Sequence, residues 1–415
     1  MSKKVLIVGL EPEYNYPGDV KIWQSNNTKY ASNHGASLIS RTLIKMFDAD
    51  FAYNIENPAE YLGKYELCIV AFATHATDWR DVSPYADFIE KLNIPTSVFS
   101  LGIQDYSPES GVVGTLHHSL KRILDHVVKT TKYIGVRGFH TASLLYKDGY
   151  RDVIPIGCPT IFNGMKSNLK IEKKSDFKKP INVFHRTLAD LNPLLTKDVT
   201  ILGQDFLDEV VFTDNFLNDP LRPNELKKYK NQRNGDSTLN NIKNSGVFHK
   251  TFEEWYNEIG SSDFVFGPRL HGCISGLIQG IPALMIARDI RVNEIADFYK
   301  IPKIKYEDYQ SENLVDLYSK IDFSDFNALY PKRYSNFVNF LNKAGIIDYY
   351  QGENENNEIE FTFDDLQESR VAILSSIGNL QNRLKILEDR VSGNTLKGKI
   401  KKIPLARKLY KKLKG

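Results

Sequence analysis

The residues with the clearest chemical content stand close together near position 270. The stretch Ser262-Asp263-Phe264-Val265-Phe266-Gly267-Pro268-Arg269-Leu270-His271-Gly272-Cys273-Ile274-Ser275-Gly276 reads as an apolar strand ending at Gly267 and a helix beginning at about Leu270. Arg269 and His271 therefore flank Leu270 at a helix N-terminus, on the carboxyl edge of a sheet. Free backbone N–H groups and the helix dipole favour an anion there. Arginine adds a bidentate partner for phosphate or carboxylate. Histidine adds a proton donor that titrates near neutrality. Gly272 and Gly276 keep this helix flank thin, so a ligand or another element can approach closely. The same residue types also allow a plainer arrangement, with Arg269 held by a local carboxylate and His271 buried as an ordinary core histidine.

Strands alternating with helices must position these groups. In the first third, Val5–Gly9, Leu67–Phe72, Thr96–Leu101, Tyr133–Val136 and Val153–Ile156 read as short apolar strands. Ala36–Phe47, Phe88–Leu92, Leu116–Val128 and the segment from Thr141 have helical spacing. The alternation restarts at Ile181–Phe184 and continues through Val199–Leu202, Phe252–Ile259, Asp263–Phe266, Leu270–Gln279 and Ala283–Ala287. Such alternation implies parallel sheets covered on both faces. The expectation is an α/β chain with two doubly wound domains, 1–162 and 181–350, facing across a cleft at the carboxyl ends of their sheets. The Lys-rich segment 163–180 is expected to link them. The Asn-rich stretch 215–246 is expected to be a long loop or lid.

Composition excludes several classes. The chain has 415 residues, 41% hydrophobic and 25% charged, which rules out a disordered protein. No apolar run reaches the roughly 20 residues that cross a bilayer. The apolar run after Lys4 is short for a signal peptide and is followed by Glu11-Pro12-Glu13, so a buried first strand is expected. Three distant cysteines, Cys68, Cys158 and Cys273, exclude a disulfide framework and a four-cysteine zinc site, and point to a reducing cytoplasm.

The net charge of +3 hides an asymmetry: residues 394–415 carry nine Lys or Arg and no acid, leaving 45 of the 54 cations against all 51 acids elsewhere. A mildly acidic body argues against nucleic acid as partner. The basic tail, with Leu396, Ile400, Ile403, Leu405, Leu409 and Leu413 among its cations, suits an anionic membrane surface. Before it, residues 351–364 read as an acidic linker. Leu366, Ile373, Leu380 and Leu387, interleaved with Arg370, Ile377, Leu384 and Val391, put apolar residues at seven of eight seam positions and mark 365–393 as a coiled-coil helix through which the chain would self-associate.

The run Ser262–Pro302 closely resembles the polysaccharide pyruvyl transferase family, whose hallmark is a strand, Arg-Leu-His, a small-residue helix, Gly-(Val/Ile)-Pro and a further strand. A second likeness lies in Tyr133–Phe162, with Arg137 at a strand end, then Thr141-Ala142 and Gly157-Cys158-Pro159. A third is the turn Asn33-His34-Gly35 before a helix. Pro268 stands where that family commonly has Ser, and Arg291 where a Lys is usual.

The resemblance implies the glycosyltransferase B type of two-domain fold. It also implies transfer of pyruvate from phosphoenolpyruvate to two hydroxyls of a sugar in a surface polysaccharide or its lipid-linked precursor, with no metal and no further cofactor. On that reading Arg269 and His271 are catalytic. Arg137, Arg269, Leu270, His271, Gly272 and Arg291 bind the donor. Asn33, His34, Gly35, His75, Asp105 and His185 face the acceptor. The enzyme is then expected in the cytoplasm, peripheral at the inner face of the membrane. Two other readings remain open: a nucleotide-sugar glycosyltransferase of the same fold, and a scaffold with a degenerate site.

Overall fold

The computed structural model describes residues 4–13, 33–104, 115–184, 198–205, 208, 244–306, 308 and 313–354. Residues 1–360 form one compact unit. The expected coiled-coil helix at 365–393, the basic tail at 394–415 and residues 215–243 of the Asn-rich stretch lie outside the described residues.

The first lobe is built on β1 (Val5–Gly9), β2 (Asp50–Phe51), β3 (Leu67–Ala71) and β4 (Thr96–Phe99), all parallel, in the order β2-β1-β3-β4. A parallel bridge from Leu101 to Val136 carries the sheet on to the pair β5 (Ile134–Val136) and β6 (Val153–Pro155). Every residue of β1, β3 and β4 is buried. That is why these strands read as unbroken apolar runs rather than alternating ones. Between them run α1 (His34–Phe47), α2 (Ser83–Leu92), α3 (His118–Thr130) and α4 (Phe139–Lys147).

The second lobe has six parallel strands: β7 (Pro180–Val183), β8 (Thr200–Leu202), β9 (Gly246–Val247), β10 (Phe264–Gly267), β11 (Ala283–Ala287) and β12 (Lys303–Lys305). Their order is β12-β11-β10-β7-β8-β9. In lobe numbering this is the doubly wound 3-2-1-4-5-6, read from the other edge. The helices are α5 (Phe252–Gly260), α6 (Leu270–Ile278), α7 (Ile290–Tyr299), α8 (Leu314–Lys320) and α9 (Ser324–Lys343). Strand order reverses between β1 and β3 in one lobe and between β7 and β10 in the other. Crevices open at the carboxyl ends of such strand pairs.

One hydrophobic core cluster runs through both lobes, so the cleft between them has a defined geometry. Segment 163–180 crosses from one to the other but is tied down on the way. Ile171 is buried and exchanges hydrogen bonds with the Asn327 side chain, and Tyr334 donates to the Met165 carbonyl. The long helix α9 then returns to the first lobe. Phe337 and Phe340 meet Phe99 edge-on, and Asn336 Nδ2 donates to Pro155 O at 3.0 Å. Sequence separation hid this return, since nothing local in residues 324–343 distinguishes packing on one sheet from packing on the other.

Candidate active site

A cavity of about 250 Å³ lies between the carboxyl ends of the two sheets. The first lobe contributes Asn33, His75, Arg80, Gln104 and Arg137, and the second contributes Gln204, Arg269, Leu270, His271 and Arg291. Two elements from each lobe set its inner wall.

Arg137 leaves the end of β5 and is 2% exposed. Gly102, on the neighbouring chain after β4, makes the room: a Cβ there would sit 2.5 Å from Arg137 Cδ. The guanidinium Nε donates to Ser100 Oγ at 3.2 Å, whereas Nη2 has no hydrogen-bond partner among the described residues. Burial lowers the pKa of this group, Cys158, Glu294 and Asp289 oppose that, and Arg291 adds repulsion. A buried cation without a paired carboxylate is unfavourable unless something else supplies the negative charge.

Arg269 is placed similarly, after β10, but its surroundings differ. It is the N-cap residue of α6, and its Nε donates to Phe184 O at 3.0 Å. Its Nη2 bonds the carboxylates of Asp205, at 2.5 Å, and Asp208, at 2.8 Å. Burial alone would lower its pKa, and the two carboxylates outweigh that and raise it. The plainer sequence reading, a local carboxylate on Arg269, describes this contact. The α6 turn is thereby braced with the first N–H groups of the helix lacking intrahelical acceptors.

His271 follows on the first turn of α6. It is 9% exposed, and its Nε2 lies 3.4 Å from Cys158 Sγ. Its pKa is pushed down to about 3, first by burial and then by Arg137 and Arg291. Titration near neutrality, expected from the residue type, therefore does not describe the free site, where the imidazole is neutral. Cys158 is brought to it by the Gly157-Cys158-Pro159 turn, which reaches across from the first lobe. Tyr299 shares its hydroxyl proton between the Ile156 and Cys158 carbonyls, at 3.2 and 3.1 Å. Gly157 sits at φ +77°, where a side chain would collide with that hydroxyl.

The α7 start completes the wall. Asp289 caps this helix, accepting from the Arg291 and Val292 amides, and also holds the Arg291 guanidinium. One turn on, Glu294 crosses to the first lobe and accepts from Thr141 N at 2.7 Å and Thr141 Oγ1 at 2.9 Å. A carboxylate at the start of α4 is favoured by that helix's free amides. The contact fixes the Arg137 strand end relative to Arg291.

The family model for polysaccharide pyruvyl transferases matches residues 26–290, well over half of the chain. The chain belongs to that family. It is accordingly a transferase with a polysaccharide acceptor. No curated protein matches it. Among solved structures, HepE from Anabaena, in complex with UDP and glucose, is similar at 10% identity and a TM-score of 0.40, over 83% of this chain and 97% of that one. The UDP-GlcNAc 2-epimerase of Neisseria meningitidis, bound to UDP-GlcNAc, is similar at 16% identity and a TM-score of 0.38, over 83% and 97%.

Seven residues expected at the pyruvyl transferase site line one cavity: Arg137, Arg269, Leu270, His271, Arg291, Asn33 and His75. Asn33 caps α1 through Ala36 N and accepts from Gln204 Nε2 at 3.2 Å, which ties the two lobes together. Gly35 acts by lacking a side chain, since a Cβ would lie 2.8 Å from His271 Cβ and 2.4 Å from Gln204 Nε2. His75 is buried and neutral, its pKa held well below the ordinary value by burial first and then by Arg80 and Arg137.

Two expectations need correcting. His34 does not face the cavity: it is fully buried, stacks on Trp255 and bonds His249 O at 2.9 Å. Burial holds its pKa down to about 4. Gly272 also does not line the cavity. Its bare flank meets Val183 of β7, where a Cβ would lie 2.6 Å from a methyl group. Asp105 and His185 lie outside the described residues.

The sequence reading overlooked Arg80, Gln104, Gln204, Asp205 and Asp208. The available signal was position: each follows a strand at its carboxyl end. In the sequence Cys158 stands out only as part of the Gly157-Cys158-Pro159 turn. Only the fold brings it to His271, 113 residues away.

Proposed function

We propose that this pyruvyl transferase takes its three-carbon unit from phosphoenolpyruvate and joins it as a ketal to two hydroxyls of one sugar, releasing phosphate. The observation that carries the reading is the buried Arg137 guanidinium, whose Nη2 has no partner among the described residues, on a cavity it shares with Arg291 and His271. A small ligand with two anionic groups would supply what this wall lacks. Phosphate and carboxylate would lie between Arg137, Arg291 and the α6 amides, with Arg269 holding that turn through Asp205 and Asp208.

Ketal formation needs one proton on the methylene carbon, which becomes the methyl group. The central carbon then carries oxocarbenium character and takes the first hydroxyl. Departure of phosphate regenerates that centre for the second hydroxyl. One hydroxyl proton replaces the one used on carbon, and the other leaves with phosphate. His271 is the proton donor in this reading. It is neutral in the free site and becomes basic when the donor's negative charges offset Arg137 and Arg291. The ketal would form on a surface polysaccharide or a lipid-linked precursor. A lipid-linked acceptor would give the basic tail its use at the inner face of the membrane, with 365–393 pairing copies of the chain. No described helix is long and apolar enough to cross a membrane.

Calorimetric titration with phosphoenolpyruvate tests the donor. His271→Gln should leave donor binding in place and cut turnover on the order of 10²–10⁴-fold, the usual effect of losing a general acid. A chain that binds a uridine or cytidine nucleotide and not phosphoenolpyruvate would replace this reading with nucleotide-sugar transfer.

A further inference from the structure

One aromatic side chain, next in sequence to the cavity-lining Arg80, is left largely in water. Trp79 is 60% exposed, whereas Trp255 is fully buried. Leaving an indole in water forfeits the free energy that its burial would provide. The loop that carries it is nevertheless well tied. Arg80 N donates to Thr77 Oγ1 at 2.9 Å, His117 N to Thr77 O at 2.8 Å, and Val82 N to Ser119 Oγ at 2.9 Å. On the other side, Ala76 N donates to Gly102 O at 3.0 Å and Gly102 N to Ala73 O at 2.7 Å. Thr77 itself is fully buried. The indole is thus an exposed apolar plate on a preorganised support.

Its neighbour connects it to the site. Arg80 Cζ lies 5.2 Å from the indole centroid, and Arg80 Nη2 donates to Gln104 Oε1 at 2.9 Å. Arg80, Gln104 and His75 all line the cavity. A flat aromatic face beside an arginine, an amide and an imidazole matches one ligand chemistry in particular. A pyranose ring has an apolar face of C–H bonds and a rim of hydroxyls. The C–H face suits the indole face that Arg80 does not cover, and the rim suits nearby donors and acceptors.

We propose that Trp79, with Arg80 and Gln104 beside it, forms a saccharide subsite where a pyranose of the acceptor stacks on the indole as the glycan enters the cavity. This rests on the reading of the chain as a transferase to polysaccharide and adds where the acceptor is held. Trp79, Arg80 and Gln104 lie on loops of the first lobe after β3 and β4, whereas the groups proposed for the donor lie at the β5 end and at the starts of α6 and α7, so acceptor and donor would be gripped by different elements.

The test uses the full chain with Trp23→Phe, so that emission comes from Trp79 and the buried Trp255. Lactose, cellobiose and N,N′-diacetylchitobiose serve as probes. At least one should shift or quench the emission, and Trp79→Ala should remove that response. By saturation-transfer NMR, Trp79→Ala should weaken the same sugar about tenfold or more, the scale of a truncated aromatic anchor. Trp79→Tyr should restore part of the affinity. Phosphoenolpyruvate affinity, measured by calorimetry, should be unchanged in both variants. Undiminished sugar binding in Trp79→Ala, or no response to any of the three sugars, overturns the subsite. If the sugar response holds while phosphoenolpyruvate fails to bind the parent chain, the donor assignment falls and the subsite stands.

Discussion

Arg137 and Arg269 occupy matching places in the two lobes, each at the carboxyl end of a strand and at the entrance to a helix, yet their charges are handled in opposite ways. Arg269 meets two carboxylates and a carbonyl. Arg137 meets one serine hydroxyl, and part of its guanidinium is unpartnered among the described residues. A buried cation surrounded by carboxylates is architecture, because its charge is already answered inside the protein. A buried cation without them is costly to the free protein, and on the proposed reading a ligand would answer that charge. The Arg-Leu-His motif therefore divides its work. Its arginine braces the turn, its histidine lines the cavity, and on the proposed reading the arginine that would meet the donor comes from the other lobe.

The largest expected effect breaks the braced side. Arg269→Ala leaves Asp205 and Asp208 without the guanidinium that joins them, and removing one partner of a buried pair typically costs about 3–5 kcal/mol. The variant should melt well below the parent in thermal and urea denaturation, with or without phosphoenolpyruvate. A variant of parental stability that has lost only donor binding would reverse the comparison, making Arg269 the ligand-facing cation.

Arg137→Met sharpens the other side. Removing a charge that has no carboxylate partner should leave the stability of the free protein unchanged or raise it. Donor affinity should fall by about 1.5–3 kcal/mol, the range for hydrogen bonds to charged groups. The two readouts come from one preparation: the melt without donor, and the calorimetric affinity with it. A large drop in the donor-free melting temperature would show that Arg137 is structural after all.

The same contrast explains what was legible in the residues beforehand. Strands buried on both faces, such as Val5–Gly9 and Ala283–Ala287, are unbroken apolar runs, so they could be found without any tertiary information. The Arg-Leu-His turn could be found because strand, glycine and helix follow one another locally. What could not be read was which groups meet across the cleft. Asp205 and Asp208 are more than 60 residues from Arg269, and Glu294 is 153 residues from the Thr141 that it caps. Periodicity also failed at one specific place. Asn33, His34 and Gly35 are consecutive, but side chains around a first helical turn point in different directions. His34 therefore turns to Trp255 while Ala36 and Ile39 line the cavity. His271 failed for another reason, because its protonation depends on burial and on two guanidinium groups that no local pattern reveals.

The smallest expected effect is a proton. In the free protein His271 is held down to about 3 by burial, Arg137 and Arg291, and its Nε2 lies against Cys158 Sγ. The unfolded chain would titrate this histidine near 6.5, as an ordinary one. Between those values the unfolded state binds the proton that the native site refuses. Its contribution to stability is therefore complete above about pH 6.5 and is lost as pH falls toward 3. A bound donor with phosphate and carboxylate would cancel the repulsion from both arginines and raise the histidine's pKa. Donor binding near pH 6.5 should then take up part of a proton, and donor affinity should strengthen as pH is lowered from 8 to 6. The donor's own phosphate titrates near pH 6, so the reference is His271→Gln with the same ligand. Calorimetry in buffers of different ionisation enthalpy reads the uptake directly. Parent and variant should differ by up to one proton. Equal uptake in the two would mean that His271 stays neutral in the complex, and the acid would have to be another group on the cavity wall.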